Sequence, residues 1–205
     1  MYKLKIIVLT GLTAAGKSSI SLPTSVKFSI PTLETGNFVY KEVTSKGLEI
    51  TPENIKKVTM EAKKISDSYF TECLIEEART KYSTQPAVFV SGVRAISEVE
   101  FLKKEFGTHN VMVIGFHASQ KTRFDRLSNL DRKAQGGAKA AEDRALQDFD
   151  KFIEREKKEL GFGIGTVFAM CDVIISNDNR RYPFLSVEHN QFIFESIVHN
   201  FISEA

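Results

Sequence analysis

The chain has 205 residues, which suits one α/β domain with inserts and excludes two full domains. Hydrophobic residues make up 42% and charged residues 26%, an ordinary globular balance, and a net charge of +2 argues against a strong polyanion partner such as nucleic acid while leaving room for a local phosphate-binding patch. Cys73 and Cys171 have no metal or redox spacing, no apolar run reaches membrane-spanning length, and the N-terminus reads as a strand rather than a signal peptide, so a cytoplasmic, reduced, membrane-free setting is expected.

The first element is the apolar run Leu4 to Leu9, which reads as a buried parallel strand. It feeds directly into Gly11-Leu12-Thr13-Ala14-Ala15-Gly16-Lys17-Ser18, a match to the phosphate-binding pattern G-x-x-x-x-G-K-[ST]. Its glycines let backbone N–H groups turn toward phosphate oxygens, and the helix that follows adds partial positive charge at its N-terminus. In this pattern the residues from Gly11 to Ser19 cradle a nucleotide, Lys17 reaches the β and γ phosphates, and the Ser18 hydroxyl faces Mg²⁺. Pro23 is expected to cut the following helix short, because proline removes a donor from a helix interior.

Ser29 to Leu33 is a weaker strand, interrupted by Pro31. Thr51-Pro52 is a helix start, with an N-cap and proline at the first helical position. Ile55, Val58, Ala62 and Ile65 follow helical spacing, and Tyr69, Cys73 and Leu74 carry the stripe on. Pro86 to Val90 is a short apolar strand. Ser97-Glu98-Val99-Glu100 reads as a capping box before the face Ile96, Val99, Leu102 and Phe106, with Gly107 as the C-cap. Val111 to Phe116 and Asp172 to Ser176 are further strands. Leu146, Phe149, Ile153 and Leu160 mark a late helix, and a last one is expected from about Leu185 to Ile202.

Strands alternating with helices imply a three-layer α/β/α fold around a parallel sheet, with ligands at the carboxyl ends of the strands. No internal repeat is present. The segment Asn129 to Asp143, centred on Gly136-Gly137, is the least core-like. Lys121, Arg123, Arg126, Arg132, Lys133, Lys139 and Arg144 flank it, followed by Arg155, Lys157 and Lys158. Phosphoryl transfer needs positioning and charge neutralisation, and a basic lid supplies both. The interleaved acids Asp125, Asp131, Glu142 and Asp143 favour a solvated face for most of the lysines.

The four histidines, His109, His117, His189 and His199, form no metal-ligand spacing, and no Gly-x-Ser-x-Gly elbow supports acyl transfer. The two cysteines read as small core residues. Phe192, Phe194 and Phe201 on the last helix serve either a homodimer interface or the core.

These residues resemble the archaeal adenylate-kinase-related proteins, which are similar to dephospho-CoA kinases and other nucleoside-monophosphate-kinase-like P-loop proteins. The resemblance reaches to about residue 178. Besides the P-loop it rests on Gly36-Asn37-Phe38-Val39-Tyr40, Thr51-Pro52-Glu53-Asn54-Ile55, Ser91-Gly92-Val93-Arg94 and Lys121-Thr122-Arg123-Phe124-Asp125-Arg126-Leu127. Arg155, Glu159-Leu160-Gly161-Phe162-Gly163-Ile164-Gly165 and Cys171-Asp172 complete it. It implies a P-loop kinase core (residues 1–36, 83–129 and 145–205), a helical acceptor-binding insert (37–82) and a lid (130–144). It also implies that Arg126 neutralises the donor phosphates, that Arg155 lies on the helix leaving the lid, and that Arg94 holds the acceptor or the transferred phosphate. Guanidinium forks suit each role. Asn177 and Asp178 fall where related kinases place the adenine-proximal loop.

The chain also departs from the family. Where Gly-Asp-x-x-Arg is usual it has Gly36-Asn37-Phe38-Val39-Tyr40, which lacks the arginine that grips an acceptor monophosphate. Lys41 is next to it and matches the charge without the fork. Where Asp-Gly-x-Arg is usual it has Ser91-Gly92-Val93-Arg94, and serine cannot neutralise a cation. The donor side is intact and the acceptor side, comprising Asn37, Tyr40, Lys41 and Arg94, is altered.

The reading that follows is an ATP- and Mg²⁺-dependent phosphotransferase of the nucleotide-kinase type. Lys17, Arg94, Arg126 and Arg155 would be its catalytic cations, and a nucleotide or nucleotide-like molecule its acceptor. Two alternatives stay open. One is a kinase for a hydroxyl acceptor, a small molecule or a modified nucleic-acid base, with Asp67 or Glu72 as base. The other is a non-catalytic ATP-binding switch.

Overall fold

In the computed structural model, which describes residues 4–128, 146–178 and 186–204, the first apolar run forms strand β1 (Lys5–Thr10), buried from Ile6 onward. It is the centre of a parallel five-stranded sheet with β2 (Thr32–Glu34), β3 (Ala87–Ser91), β4 (Val111–His117) and β5 (Val173–Ser176), in the order β2-β3-β1-β4-β5. A central strand buried on both faces must be apolar at every position, which is why β1 and β3 show no alternation in sequence.

Alternation along the strands splits their side chains between two cores. Ile6, Val8, Val88 and Val90 face one side, where α4 (Tyr69–Lys81) and α5 (Ile96–Phe106) contribute Leu74, Ala78, Val99 and Leu102. Ile7, Leu9, Phe89, Ile114 and Phe116 face the other, against Ile20 of α1 (Lys17–Phe28) and Phe194, Val198 and Phe201 of α9 (Val187–Ser203). The rings of Phe89 and Phe116 each lie 5.6 Å from that of Phe194. Burial of such aromatic side chains is the main stabilising term of this layer. The fold is therefore the expected three-layer α/β/α arrangement. Phe194 and Phe201 belong to its core, whereas Phe192 is exposed.

Several local expectations are corrected. Pro23 does not shorten α1, which continues to Phe28. Proline at position 23 leaves the Ser19 carbonyl without its helical donor. Gln191 Nε2 of α9 donates to that carbonyl instead, at 3.0 Å. The weak second strand is Thr32–Glu34 rather than Ser29 to Leu33, since Ser29 adopts a left-handed conformation (φ 53°) that ends α1.

The stripe from Ile55 to Leu74 is not one helix. It divides into α3 (Pro52–Ile65) and α4 at Ser66, whose backbone is extended and whose hydroxyl donates to Glu72. Residues Thr35–Ser45 form a further helix, α2, so that the chain from β2 to β3 is a helical excursion α2–α3–α4.

The helix start near Ser97 lies earlier. Ala95 is the N-cap, and the Glu98 carboxylate accepts from the N–H groups of both Arg94 and Ala95, each at 2.9 Å. The late helix is α7 (Phe149–Gly161), preceded by α6 (Gln120–Ser128) and followed by the short α8 (Ile164–Ala169). The expected lid, 130–144, and the basic residues Arg132, Lys133, Lys139 and Arg144 lie outside the described residues.

Candidate functional site

The P-loop joins β1 to α1 at the carboxyl edge of the sheet. Gly11 (φ +139°) passes so close to β4 that a Cβ there would meet the Phe116 carbonyl oxygen at 2.4 Å. Gly16 (φ +98°) passes equally close to Asn177, where a Cβ would lie 2.0 Å from Nδ2. These contacts explain why both positions require glycine. Ala14 is also left-handed, at φ 62°.

The outer carbonyls of the loop are pinned from two elements. Arg126 of α6 donates from Nη1 to Ala14 O at 3.1 Å and from Nη2 to Asn177 O at 2.5 Å. Asn177, just beyond β5, donates from Nδ2 to Ala15 O at 2.9 Å. The Ala14 and Ala15 carbonyls are thus held from outside the loop, and the Ala15 N–H donates to Leu12 O at 3.2 Å to close the turn, a strand-to-helix turn of the kind that binds anions. Helix α1 carries no acidic residue in its first turn, so its positive N-terminal end is uncompensated. The cradle therefore fits a chain of phosphates. Ser18, at the start of α1, is exposed and suits a cation bound beside them.

Lys17 Nζ folds over this loop, donating to Gly11 O at 2.5 Å and Leu12 O at 3.2 Å. Arg94 and Arg155 are gathered by one buried acid. Glu159 of α7, 5% exposed, accepts from Arg94 Nε at 2.9 Å and from Arg155 Nη2 at 3.0 Å on its two oxygens. Burial pushes the Glu159 carboxyl up, but the charges of Arg94, Arg155 and Lys17 outweigh it and hold the group below the ordinary glutamate value. Two of the four expected cations, Arg94 and Arg155, thus share one carboxylate, while Lys17 and Arg126 are bonded to the backbone of the loop itself.

Asp178 anchors the start of α6 by accepting from Ser119 N at 3.0 Å and from the Thr122 hydroxyl. Burial opposes its ionisation. The Ser119 and Thr122 hydrogen bonds and the charge of Arg126 prevail and keep it below the usual aspartate range. Arg123, 5% exposed, donates to Ala118 O and pairs with Glu156, which also accepts from Gln120 Nε2 at 2.6 Å. Beside the loop, Leu12, Phe116, Ile164 and Phe168 line an apolar cavity of about 170 Å³.

The acceptor-side residues are more dispersed. Asn37 is exposed in the first turn of α2 and Tyr40 is half-buried one turn on. Lys41 is drawn away by Glu77 of α4 at 3.0 Å, with its ammonium 4.8 Å from the Phe38 ring centre. Gly92 (φ +88°) lets the chain after β3 approach Thr35, whose Oγ1 would lie 2.3 Å from an added Cβ.

The acids Glu159 and Glu156 and the full role of Asn177 were not singled out by residue type. The Glu159-Leu160-Gly161 segment and Asn177-Asp178 were the signals that pointed nearest to them. Burial raises both cysteine thiols above their ordinary value, and both pack against the core. Among the described residues no group of three or more His, Cys, Asp or Glu is placed to hold a metal ion, and no helix is long and apolar enough to cross a membrane.

Residues 10–145 match the family described as AAA domain. The chain belongs to this family. It is also 31% identical over 191 residues to a UPF0200 protein of Methanococcus maripaludis strain C6, covering 92% of this chain and 96% of that protein. It is 33% identical over 174 residues to a UPF0200 protein of Pyrococcus furiosus, covering 84% and 88%. The fold of this AAA-domain member is that of the P-loop kinases. Shikimate kinase from Bacteroides thetaiotaomicron superposes with a TM-score of 0.53 at 16% identity, covering 95% of this chain and 98% of that one. A putative kinase from Chloroflexus aurantiacus superposes with a TM-score of 0.53 at 12% identity, covering 98% of each chain. The family therefore agrees with the archaeal P-loop kinase-like resemblance read from the motifs.

Proposed function

We propose that this chain is an ATP-dependent kinase. The single observation that carries the reading is the pairing of Arg94 and Arg155 on the buried carboxylate of Glu159, with Arg126 and Asn177 bonded to the carbonyls of a P-loop that carries Lys17. A protein that only binds phosphates needs the loop. Cations from beyond β3 and from α7 on one shared acid, together with the loop's own Lys17, are what neutralisation of a moving phosphoryl group requires.

ATP with Mg²⁺ would supply the transferable phosphoryl group. Residues Gly11 to Ser19 would hold its phosphates through backbone N–H groups, and Ser18 would face the metal. Lys17 would leave the carbonyls of Gly11 and Leu12 for the β and γ phosphates. Arg126 would support the donor, and Arg94 and Arg155 the phosphoryl group as charge develops. The working division is a core (1–36, 83–129, 145–205), an acceptor insert (37–82) that contains most of α2 to α4, and a lid (130–144). A nucleotide or small-molecule acceptor would enter between the insert and Arg94, in the cytoplasm where such metabolites and ATP are held.

The test is transfer from γ-labelled ATP by the purified chain, offered a panel of nucleotide and small-molecule acceptors. Lys17-dependent labelling of at least one acceptor, lost in Lys17→Ala, is the expected result. Tight ATP binding with no transfer to any acceptor and no Lys17-dependent turnover would replace the kinase with an ATP-binding switch, the reading that Ser91 and Tyr40 would then favour.

A further inference from the structure

A buried ion pair joins the P-loop to α7. Arg123 of α6 and Glu156 of α7 are 5% and 7% exposed, and Arg123 Nη1 donates to Glu156 Oε1. Arg123 Nε also donates to Ala118 O at 2.9 Å, and Nη1 reaches within 3.5 Å of Thr13 O in the loop. The other Glu156 oxygen accepts from Gln120 Nε2 at 2.6 Å. One helical turn on, Arg126 bonds the next loop carbonyl, Ala14 O. Helix α6 therefore meets two successive carbonyls of the loop, and Arg123 extends that contact to α7. On α7, Glu156 directly follows Arg155 and lies one turn before Glu159, the acid that pairs with Arg94 and Arg155.

Neither phosphate binding nor stability accounts for a charged pair at this place. The Arg123 guanidinium is enclosed and its charge is met by Glu156, which sets it apart from the cations of the site. The Phe152 ring centre lies 5.6 Å from it, and Phe152 forms an apolar cluster with Leu127 and Leu146 that an apolar pair would simply extend. A buried ion pair seldom stabilises a fold more than apolar side chains of similar volume, because desolvation cancels most of the attraction. What the pair adds is direction, since a guanidinium fork and two carboxylate oxygens fix their partners at set angles.

We infer that Arg123 and Glu156 are positioning residues, which hold α7 in register with the P-loop so that Arg155 and the loop's Lys17 bear on the same phosphoryl group. The inference rests on the kinase reading above and deepens it. The pair acts on the reaction through Arg155 rather than by touching the phosphates. A shift of α7 by about 1 Å would leave ATP on the loop but misdirect the cation, a loss of about 100-fold in rate.

The experiment uses the whole chain, with ATP as donor and water as acceptor. Lys17-dependent ATP hydrolysis gives kcat and KM, calorimetry gives ATP affinity, and urea unfolding gives stability. The proteins are wild type, Lys17→Ala, Glu156→Gln, Arg155→Ala, the apolar pair Arg123→Met with Glu156→Leu, and that pair combined with Arg155→Ala. The apolar pair is expected to be at least as stable as wild type, to bind ATP within about threefold of it, and to lower kcat about 100-fold. In the Arg155→Ala background the same two changes should lower kcat by less than about threefold, because the group they position is gone. A stable apolar pair with wild-type kcat overturns the inference and leaves the kinase standing. So does an equal fall in both Arg155 backgrounds. If the apolar pair does not fold, Glu156→Gln decides, since it keeps the size of the side chain and one acceptor oxygen. A fall of about tenfold or more in its kcat at unchanged KM supports the positioning role, and an unchanged kcat overturns it. Absence of Lys17-dependent turnover in the wild type overturns the kinase reading itself, and the inference with it.

Discussion

Gln191 Nε2 donates to the Ser19 carbonyl at 3.0 Å, supplying the hydrogen bond that Pro23 cannot make within α1. The contact ties the last helix to the one that begins in the phosphate loop. It lets a proline sit in the middle of a helix whose N-terminus has to be held still.

Gln191→Ala removes the substitute donor and is expected to destabilise the chain by about 1 kcal/mol, the net worth of one hydrogen bond. Pro23→Ala restores the N–H to α1, so the same Gln191→Ala change made in that background should cost less. Urea unfolding of the two single variants and the double variant measures the coupling. Equal costs in both backgrounds would show that Gln191 does not stand in for the missing donor.

Glu159 predicts an acid-sensitive site. Its folded carboxyl sits below the ordinary glutamate value of 4.5, so ionised Glu159 contributes stability that is present above that value and lost as pH falls through the lower folded one. Glu159→Gln should lower stability at neutral pH by about 2 kcal/mol, less than for a fully enclosed pair because Arg94 is partly solvated. It should also flatten the decline in stability below pH 4.5. Chemical denaturation from neutral to acid pH reads both effects.

Arg126 should act on the donor rather than on folding. Arg126→Ala frees Ala14 O and Asn177 O and is expected to weaken ATP binding about tenfold or more, the loss of charge-assisted hydrogen bonds. Arg126→Lys keeps the charge but cannot bridge both carbonyls, so it should recover only part of the affinity. Calorimetric titration with ATP separates the outcomes. Equal affinity in all three proteins would remove Arg126 from the donor site.

The helical excursion has a local stability that one cap reports. Thr51 Oγ1 accepts from Asn54 N at 3.2 Å at the start of α3. Thr51→Ala should cost about 1 kcal/mol. Hydrogen exchange should show faster opening of α3 with little change in β1 or β4.

The sequence by itself determined the P-loop of this protein. An unbroken apolar strand, Gly11 to Ser18 and the helix after it are contiguous, and local chemistry is enough to recognise a P-loop there. It also determined the alternating α/β order, because periodicity is local and proline and glycine mark its breaks. It misjudged α1 at Pro23, since the compensating donor lies 168 positions away at Gln191. It also joined α3 to α4, because an apolar stripe continues across the turn at Ser66 whose extended backbone the stripe does not reveal.

Tertiary structure alone decided which charges meet. Arg94 and Arg155 are far apart in sequence and become neighbours through Glu159. Arg123 of α6 meets Glu156 of α7 although 33 positions separate them in the chain. Such groups attract or repel according to distance in space, and only the folded chain sets that distance.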